Sequence, residues 1–164
     1  VIVVLWGVSG CGKSTVGQQL AERLAWSFYD ADDFHSLANI EKMRRGIPLQ
    51  DEDRAPWLDD LGSLIRGIND EGQNGVLACS ALKEIYRHRL GINQQDIRGV
   101  HLAGTEELIR SRLAARNHEF MNDKLLSSQI ATLEPAGEGL ALNIALPPAE
   151  LCRQIVDHLN LNVG

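Results

Sequence analysis

The sequence predicts an α/β domain built on a parallel sheet, and three observations predict it. Val1-Ile2-Val3-Val4-Leu5-Trp6 is an uninterrupted apolar run rich in β-branched residues, the composition of a strand covered on both faces. Gly7-Val8-Ser9-Gly10-Cys11-Gly12-Lys13-Ser14 follows at once and fits the pattern Gly-x-x-x-x-Gly-Lys-[Ser/Thr]. Val16, Leu20 and Leu24 then recur at helical spacing between glutamine, glutamate and arginine, which makes one apolar helix face.

Strand, glycine loop and helix in that order make a cradle for phosphate. Glycine permits backbone geometries that a Cβ would obstruct, so N–H groups along Gly7, Ser9, Gly10, Cys11 and Gly12 can turn inward on the oxygens of a triphosphate. The helix beginning near Lys13 aims its positive dipole end at the same place. Lys13 adds a mobile charge for the β and γ phosphates, the Ser14 hydroxyl is placed to ligate Mg²⁺, and Thr15 brings a further hydroxyl. The expected ligand is a nucleoside triphosphate.

A chain of 164 residues with 44% hydrophobic composition can bury one sizeable core, so residues 1–164 are expected to form a single domain. Its net charge of −6 leaves no general attraction to nucleic acid or to an anionic membrane surface, and a small-molecule partner is expected. Cys11, Cys79 and Cys152, without metal-type spacing, read as reduced thiols of a cytoplasmic protein. Cys11 lies inside the cradle, where oxidation is expected to reach it; the other two read as small core residues. The first six residues are neither signal peptide nor transmembrane span.

Trp26-Ser27-Phe28-Tyr29 reads as a second strand that delivers Asp30-Ala31-Asp32-Asp33 at its carboxyl end, where parallel sheets bind ligands. If extended geometry persists, Asp30 and Asp32 project to one side, able to steer hydrated Mg²⁺ and accept a proton from a substrate hydroxyl. The alternative is an acidic turn capping the next helix, the reading given to Asp33. That helix is expected over Ser36–Arg45, with Leu37, Ile40 and Met43 apolar and Asn39 and Lys42 on its other surface. A long helix follows, with Asp53 as N-cap, Pro56 in its first turn and Trp57, Leu58, Leu61, Leu64, Ile65 and Ile68 in helical period. Arg54 is either a reader of a substrate carboxylate or a solvated surface arginine.

Gly75-Val76-Leu77-Ala78-Cys79 is a third buried strand. Ser80 after it either orients a metal-bound water or caps the helix carrying Lys83, Tyr86, Arg87 and Leu90. Arg98–Leu102 supplies a fourth strand, and Thr105 with Glu106 and Glu107 starts a helix as capping and dipole rules prescribe. Arg110, Arg112, Arg116 and His118 form the most basic stretch. Arg112 and Arg116 share a helix face, either as a lid closing on a transferred phosphoryl group or as a solvated face. Leu125, Leu126, Ile130 and Leu133 make the returning helix amphipathic, with Ser128 and Gln129 beside them. A fifth strand is expected over Leu142–Leu146, then a helix begun by Pro148, with the Asn143–Pro148 turn bordering adenine.

Several of these stretches together resemble one family: Asp30-Ala31-Asp32-Asp33-Phe34-His35, Asn39-Ile40-Glu41-Lys42-Met43, Gly46-Ile47-Pro48-Leu49, Asp51–Leu58, Cys79–Lys83 with Tyr86-Arg87, Phe120-Met121, Leu125-Leu126, Ser128-Gln129 and Thr132-Leu133-Glu134. Over nearly the whole chain the sequence is similar to the gluconate kinases, in the shikimate-kinase and nucleoside-monophosphate-kinase branch of P-loop proteins. The resemblance implies a three-layer P-loop kinase fold with a five-stranded parallel sheet in the order 2-3-1-4-5 and helices on both faces. It also implies a substrate-binding insert at about residues 35–70 and a small helical lid at about 112–130. The implied reaction is ATP plus D-gluconate giving ADP plus 6-phospho-D-gluconate, feeding sugar-acid catabolism toward the pentose phosphate pathway.

By the same resemblance Lys13 and the loop N–H groups hold ATP, Ser14 holds Mg²⁺ with Asp30 acting through water, Asp32 lies beside the acceptor hydroxyl, and Arg112 and Arg116 belong to the lid. An anionic polyol needs a cation for its carboxylate, for which Arg54, Arg87, Lys83, Lys42 and His35 are the candidates. Ser36 stands where the family usually has proline, and Glu119 separates His118 from Phe120, which weakens any role for His118. A homodimer is implied by the family alone. The neighbouring alternative is another small-molecule kinase, for shikimate or a nucleotide. A guanine-nucleotide switch lacks its Asn-Lys-x-Asp reader here, and a polynucleotide kinase is disfavoured by the charge balance.

Overall fold

A computed structural model of the chain describes residues 1–115, 123–137 and 139–163; Arg116, His118, Phe120 and Met121 lie outside the described residues. Among the described residues five strands form one parallel sheet, β1 (Ile2–Trp6), β2 (Ser27–Asp30), β3 (Gly75–Cys79), β4 (Ile97–Ala103) and β5 (Leu140–Asn143), in the order β2-β3-β1-β4-β5. That is the order expected. β1 is central because it is apolar on both faces. Val3 and Leu5 join a core with α1 (Lys13–Leu24) and α7 (Pro148–Leu159), whereas Ile2, Val4 and Trp6 join Leu61 and Ile65 of α3 (Asp51–Asp70) on the opposite side. Trp6 pairs in register with Cys79 and with His101, so β1 and β3 end level and β4 runs two residues further, to Ala103, and the loops that follow share one edge.

The remaining helices are α2 (Leu37–Arg44), α4 (Glu84–Arg89), α5 (Glu106–Ala115) and α6 (Asp123–Thr132). As expected, the Thr105 hydroxyl accepts the Leu108 N–H at 3.2 Å at the start of α5. Five local expectations are corrected. The N-cap of α2 is Ser36, whose hydroxyl accepts the Asn39 N–H at 3.1 Å, so Asp33 does not serve it. Gln50 is the N-cap of α3, and Asp53 reaches back as a capping-box acceptor for the Gln50 N–H at 2.8 Å. With the helix beginning that early, Pro56 lies inside it, past the first turn, where it removes an interior hydrogen bond.

The fourth correction concerns the facing of α2. Leu37 is 84% exposed while Asn39 is 6% exposed, the reverse of the apolar pattern, because Asn39 Nδ2 donates to the Asp53 carbonyl at 2.8 Å and lies 3.3 Å from His35 Nδ1. The last strand ends at Asn143, whose side chain accepts the Ala145 N–H at 2.9 Å and turns the chain. Ile144 beyond it is still fully buried, which is why its apolar run reads as strand.

Candidate active site

The loop between β1 and α1 has the geometry its glycines permit. At Gly7 φ is +148° and a Cβ would stand 2.8 Å from the Leu102 carbonyl oxygen; at Gly10 φ is +83° and a Cβ would meet Leu113 of α5 at 2.8 Å. The first α1 hydrogen bond runs from the Val16 N–H to the Gly12 carbonyl at 2.9 Å, so the amides of Lys13, Ser14 and Thr15 precede it and face the loop's mouth. Lys13 folds over the loop, its Nζ donating to the carbonyls of Gly7 at 2.9 Å and Val8 at 3.0 Å. Cys11 is only 1% exposed, so the cradle thiol expected to meet oxidants is covered.

The carboxylates sit beside this loop, arranged differently from an extended pair. The Ser14 hydroxyl donates to Asp30 Oδ2 at 2.8 Å, and Asp30 Oδ1 accepts the Asp32 N–H at 3.0 Å. Asp30 thereby caps a 3₁₀ turn over Ala31–Phe34, and extended geometry ends there, so Asp30 turns back on Ser14 while Asp32 stands exposed on the turn. Trp57 of α3 pins the turn from below, its indole N–H donating to the Ala31 carbonyl at 2.7 Å. At the end of β3, burial pushes the Cys79 thiol up to about 12, and Asp32, Lys13 and Asp30 all act on it.

The cationic candidates come from α2, α3 and the start of α4, and meet the carboxylates of the first turn of α3. Lys42 donates to Asp53 at 2.8 Å and Lys83 to Asp51 at 2.9 Å. The hydrogen bond from Lys42, then that from the Gln50 amide, holds the Asp53 carboxyl below its usual range; hydrogen bonds from Tyr86 and then Lys83 do the same for Asp51. Arg54 differs. It donates to the Tyr86 hydroxyl at 3.0 Å and lies 5.4 Å from that ring's centre, and among the described residues no carboxylate lies within ion-pair distance of it. Tyr86 in turn donates to Asp51. His35 stacks on Trp57 with ring centroids 4.3 Å apart, and burial, then the Arg54 charge, lowers its pKa to about 4. It is neutral at pH 7 and can offer a hydrogen bond, not a cation.

Arg87 is placed where a substrate contact is not available to most of its donors. It is 7% exposed, donates to the carbonyls of Ala81, Leu82 and Glu134 at 2.8–3.0 Å, and lies 4.1 Å over the Trp6 ring. Those three bonds make Arg87 a strut of the β3–α4 connection. Ser80 does not cap α4, which starts at Glu84 after Lys83; its carbonyl accepts the Gly7 N–H at 3.2 Å, tying that connection to the loop.

On the lid side, Arg112 of α5 donates to the Ile144 carbonyl and lines a cavity of 220 Å³ with Gly12, Thr15, Leu146 and Pro148. Arg110 joins α5 to α6, donating to Glu106 at 2.7 Å and Ser127 at 2.9 Å. Arg116, the other expected lid cation, lies outside the described residues. Three contributors carried no role in the sequence reading: Trp57, Tyr86 and Gln129, the last bonded to Ser9. Trp57 and Tyr86 fit the apolar period of their helices, so only the pairing of their polar atoms distinguishes them from core.

A family model described as an AAA domain matches residues 3–129. The Xenopus tropicalis protein named "Probable gluconokinase" is 47% identical over 149 residues, 82% of this chain and 78% of that protein. Among solved structures, a sugar kinase from Janibacter sp. HTCC2649 superposes with a TM-score of 0.91 at 40% identity, covering 98% of this chain and 94% of the other. A gluconokinase from Sinorhizobium meliloti 1021 superposes with a TM-score of 0.84 at 39% identity, covering 96% and 90%.

Proposed function

The chain belongs to the gluconokinase family, and from that premise we propose how its residues carry out the reaction of ATP with D-gluconate. The terminal phosphoryl group passes to the 6-hydroxyl, giving ADP and 6-phospho-D-gluconate. The observation that carries the reading is the hydrogen bond from Trp57 to the Ala31 carbonyl, which ties the helix bearing Arg54 to the turn bearing Asp32. Lys13, Ser14, Asp30 and Asp32 lie at the loop, and Arg54, which among the described residues has no carboxylate within ion-pair distance, lies on the helix that pins the Asp32 turn.

In this reading the amides at the head of α1 and the Lys13 ammonium hold the phosphates, Lys13 exchanging the carbonyls of Gly7 and Val8 for charged oxygens. The nucleoside end lies in the cavity between Thr15, Arg112 and the Asn143–Pro148 turn, with adenine against the turn. Arg112 is proposed to close on the nucleotide from the lid; Arg116, proposed to act with it, lies outside the described residues. Asp32 accepts the proton of the 6-hydroxyl, which its exposed place on the turn allows.

The carboxylate of gluconate is assigned to Arg54. Lys42 and Lys83 already hold Asp53 and Asp51, so either would have to release a carboxylate to take another. Neutral His35 is left to bond a hydroxyl of the polyol. Mg²⁺ fits the residues present: the Ser14 hydroxyl and the Asp30 carboxylate are hard oxygens 2.8 Å apart beside the phosphate loop. Among the described residues no three His, Cys, Asp or Glu side chains converge, and an ion held largely by phosphates and water needs no such cage. Bound there, Mg²⁺ offsets charge on the β and γ phosphates.

Coupled ADP release measured with gluconate, shikimate and nucleoside monophosphates tests the reading. Gluconate-dependent turnover is expected; gluconate-independent turnover, or preference for another acceptor, would overturn it. Among the described residues no helix is long and apolar enough to cross a membrane. A cytoplasmic homodimer, with no nucleic-acid or membrane partner, is proposed from the family resemblance and the charge, and sedimentation velocity tests the dimer.

A further inference from the structure

Gln129 makes a contact that neither the loop motif nor the substrate cluster accounts for. Its carboxamide grips one loop residue twice: the Ser9 N–H donates to Gln129 Oε1 at 2.8 Å, and Gln129 Nε2 donates to Ser9 Oγ at 3.2 Å. The helix that carries it is seated on the scaffold. Leu125 and Leu126 are 5% and 1% exposed. Just past the helix, the Glu134 N–H donates to the Leu82 carbonyl at 2.8 Å and the Glu134 carboxylate accepts the Glu84 N–H at 2.9 Å. Gln129 thus reaches the loop from a fixed support.

The amide it grips has a second attachment. A trans peptide is planar with its C=O and N–H pointing opposite ways. The carbonyl of the Val8–Ser9 peptide accepts from Lys13 Nζ at 3.0 Å, while its N–H donates to Gln129. Once Lys13 moves to a phosphate, the carbonyl keeps only the longer bond from the Cys11 N–H, at 3.3 Å, and the Gln129 bond is the shorter of the two that remain on that plane. If the plane turned over, its carbonyl would point at Gln129 Oε1, and the bonds to Lys13 and to Gln129 would both be lost.

We propose that Gln129 is a positioning residue of the phosphoryl transfer: it fixes the orientation of the Val8–Ser9 peptide so that the loop keeps its phosphate-binding shape when Lys13 lets go. The proposal rests on the reading of the loop as the ATP site. Two neutral hydrogen bonds are at stake, so Gln129→Ala is expected to lower kcat/KM for ATP about tenfold to thirtyfold. KM for gluconate and the thermal unfolding midpoint are expected to stay close to wild type. Gln129→Glu keeps an acceptor for the Ser9 N–H but brings a negative charge to the loop. It is expected to weaken ATP more than Gln129→Ala does, with ADP affected less than ATP, a discrimination that a purely structural contact would not show.

The experiment measures steady-state kinetics, ATP-analogue and ADP binding by calorimetry, and thermal unfolding on wild type, Gln129→Ala, Gln129→Glu and Lys13→Ala. Wild-type kcat/KM for ATP in Gln129→Ala would overturn the proposal, as would a loss matched by a raised gluconate KM and a lowered unfolding midpoint. If Lys13→Ala loses ATP turnover while both Gln129 variants keep it, this proposal alone fails. If Lys13→Ala binds and turns over ATP normally, the reading of the loop fails with it.

Discussion

Lowering the pH should weaken this fold through His35 in a way that can be worked out in advance. The ring is stacked on Trp57 and faces the Arg54 guanidinium, and burial followed by that charge takes its pKa from 6.5 to about 4. The stabilising effect is fully present above 6.5, where both folded and unfolded rings are neutral. It is lost as pH falls from 6.5 toward 4, because the unfolded chain binds a proton that the folded chain refuses. At about 1.4 kcal/mol for each pH unit inside that window, going from pH 7 to pH 5 should cost up to about 2 kcal/mol, and partial solvent contact of the ring brings the expectation to about 1–2 kcal/mol. His35→Phe keeps a ring on Trp57 and removes the titration. Urea unfolding of both proteins at pH 7, 6 and 5 and constant ionic strength should show wild type losing that amount relative to the variant. Parallel losses would mean that His35 is not held neutral, and Arg54 would no longer be the cation that dominates its surroundings.

Three further substitutions separate the roles in the cleft. Lys13→Ala should abolish gluconate-dependent ADP release while leaving far-ultraviolet circular dichroism unchanged; near-wild-type rates would remove the proposed phosphate contact. Asp32→Asn should lower kcat by roughly 10²–10⁴, the usual contribution of a positioned general base, with ATP-analogue binding by calorimetry largely retained. An unchanged kcat would mean that another group, or none, takes the proton. Arg54→Ala removes a charged hydrogen bond worth about 1.5–3 kcal/mol, so KM for gluconate should rise about tenfold to a hundredfold with KM for ATP unchanged. Equal effects on both substrates would assign Arg54 to the scaffold through its Tyr86 contact.

The sheet was legible because its centre strand is apolar without interruption and its loop is defined by glycine spacing, two signals that local sequence carries unaided. Boundaries were less so. Ile144 is buried as deeply as any strand residue and its N–H still donates to the Ala103 carbonyl at 2.9 Å, and the Asn143 side chain bonding to the Ala145 N–H turns the chain just beyond it. On α2 the apolar period pointed to Leu37, but the buried position belongs to Asn39, whose amide answers a carbonyl fourteen residues later in the chain. In the site, residue types told where cations and carboxylates gather, not which are already paired. Arg87 and Arg54 look equivalent in sequence; three backbone carbonyls and the Trp6 ring engage one, while a tyrosine hydroxyl engages the other. The Asp30–Asp32 spacing suggested a shared face, and a single hydrogen bond from the Asp32 amide to Asp30 turned it into a 3₁₀ turn.

The most direct measurement is a crystal structure of the protein with D-gluconate and a non-hydrolysable ATP analogue. The terminal phosphate should lie on the amides at the head of α1 with Lys13 beside it. The 6-hydroxyl should lie within about 2.6–3.2 Å of Asp32, and the gluconate carboxylate on Arg54. A triphosphate bound away from the Gly7–Ser14 loop, or gluconate reversed with its carboxylate toward Asp32, would contradict it.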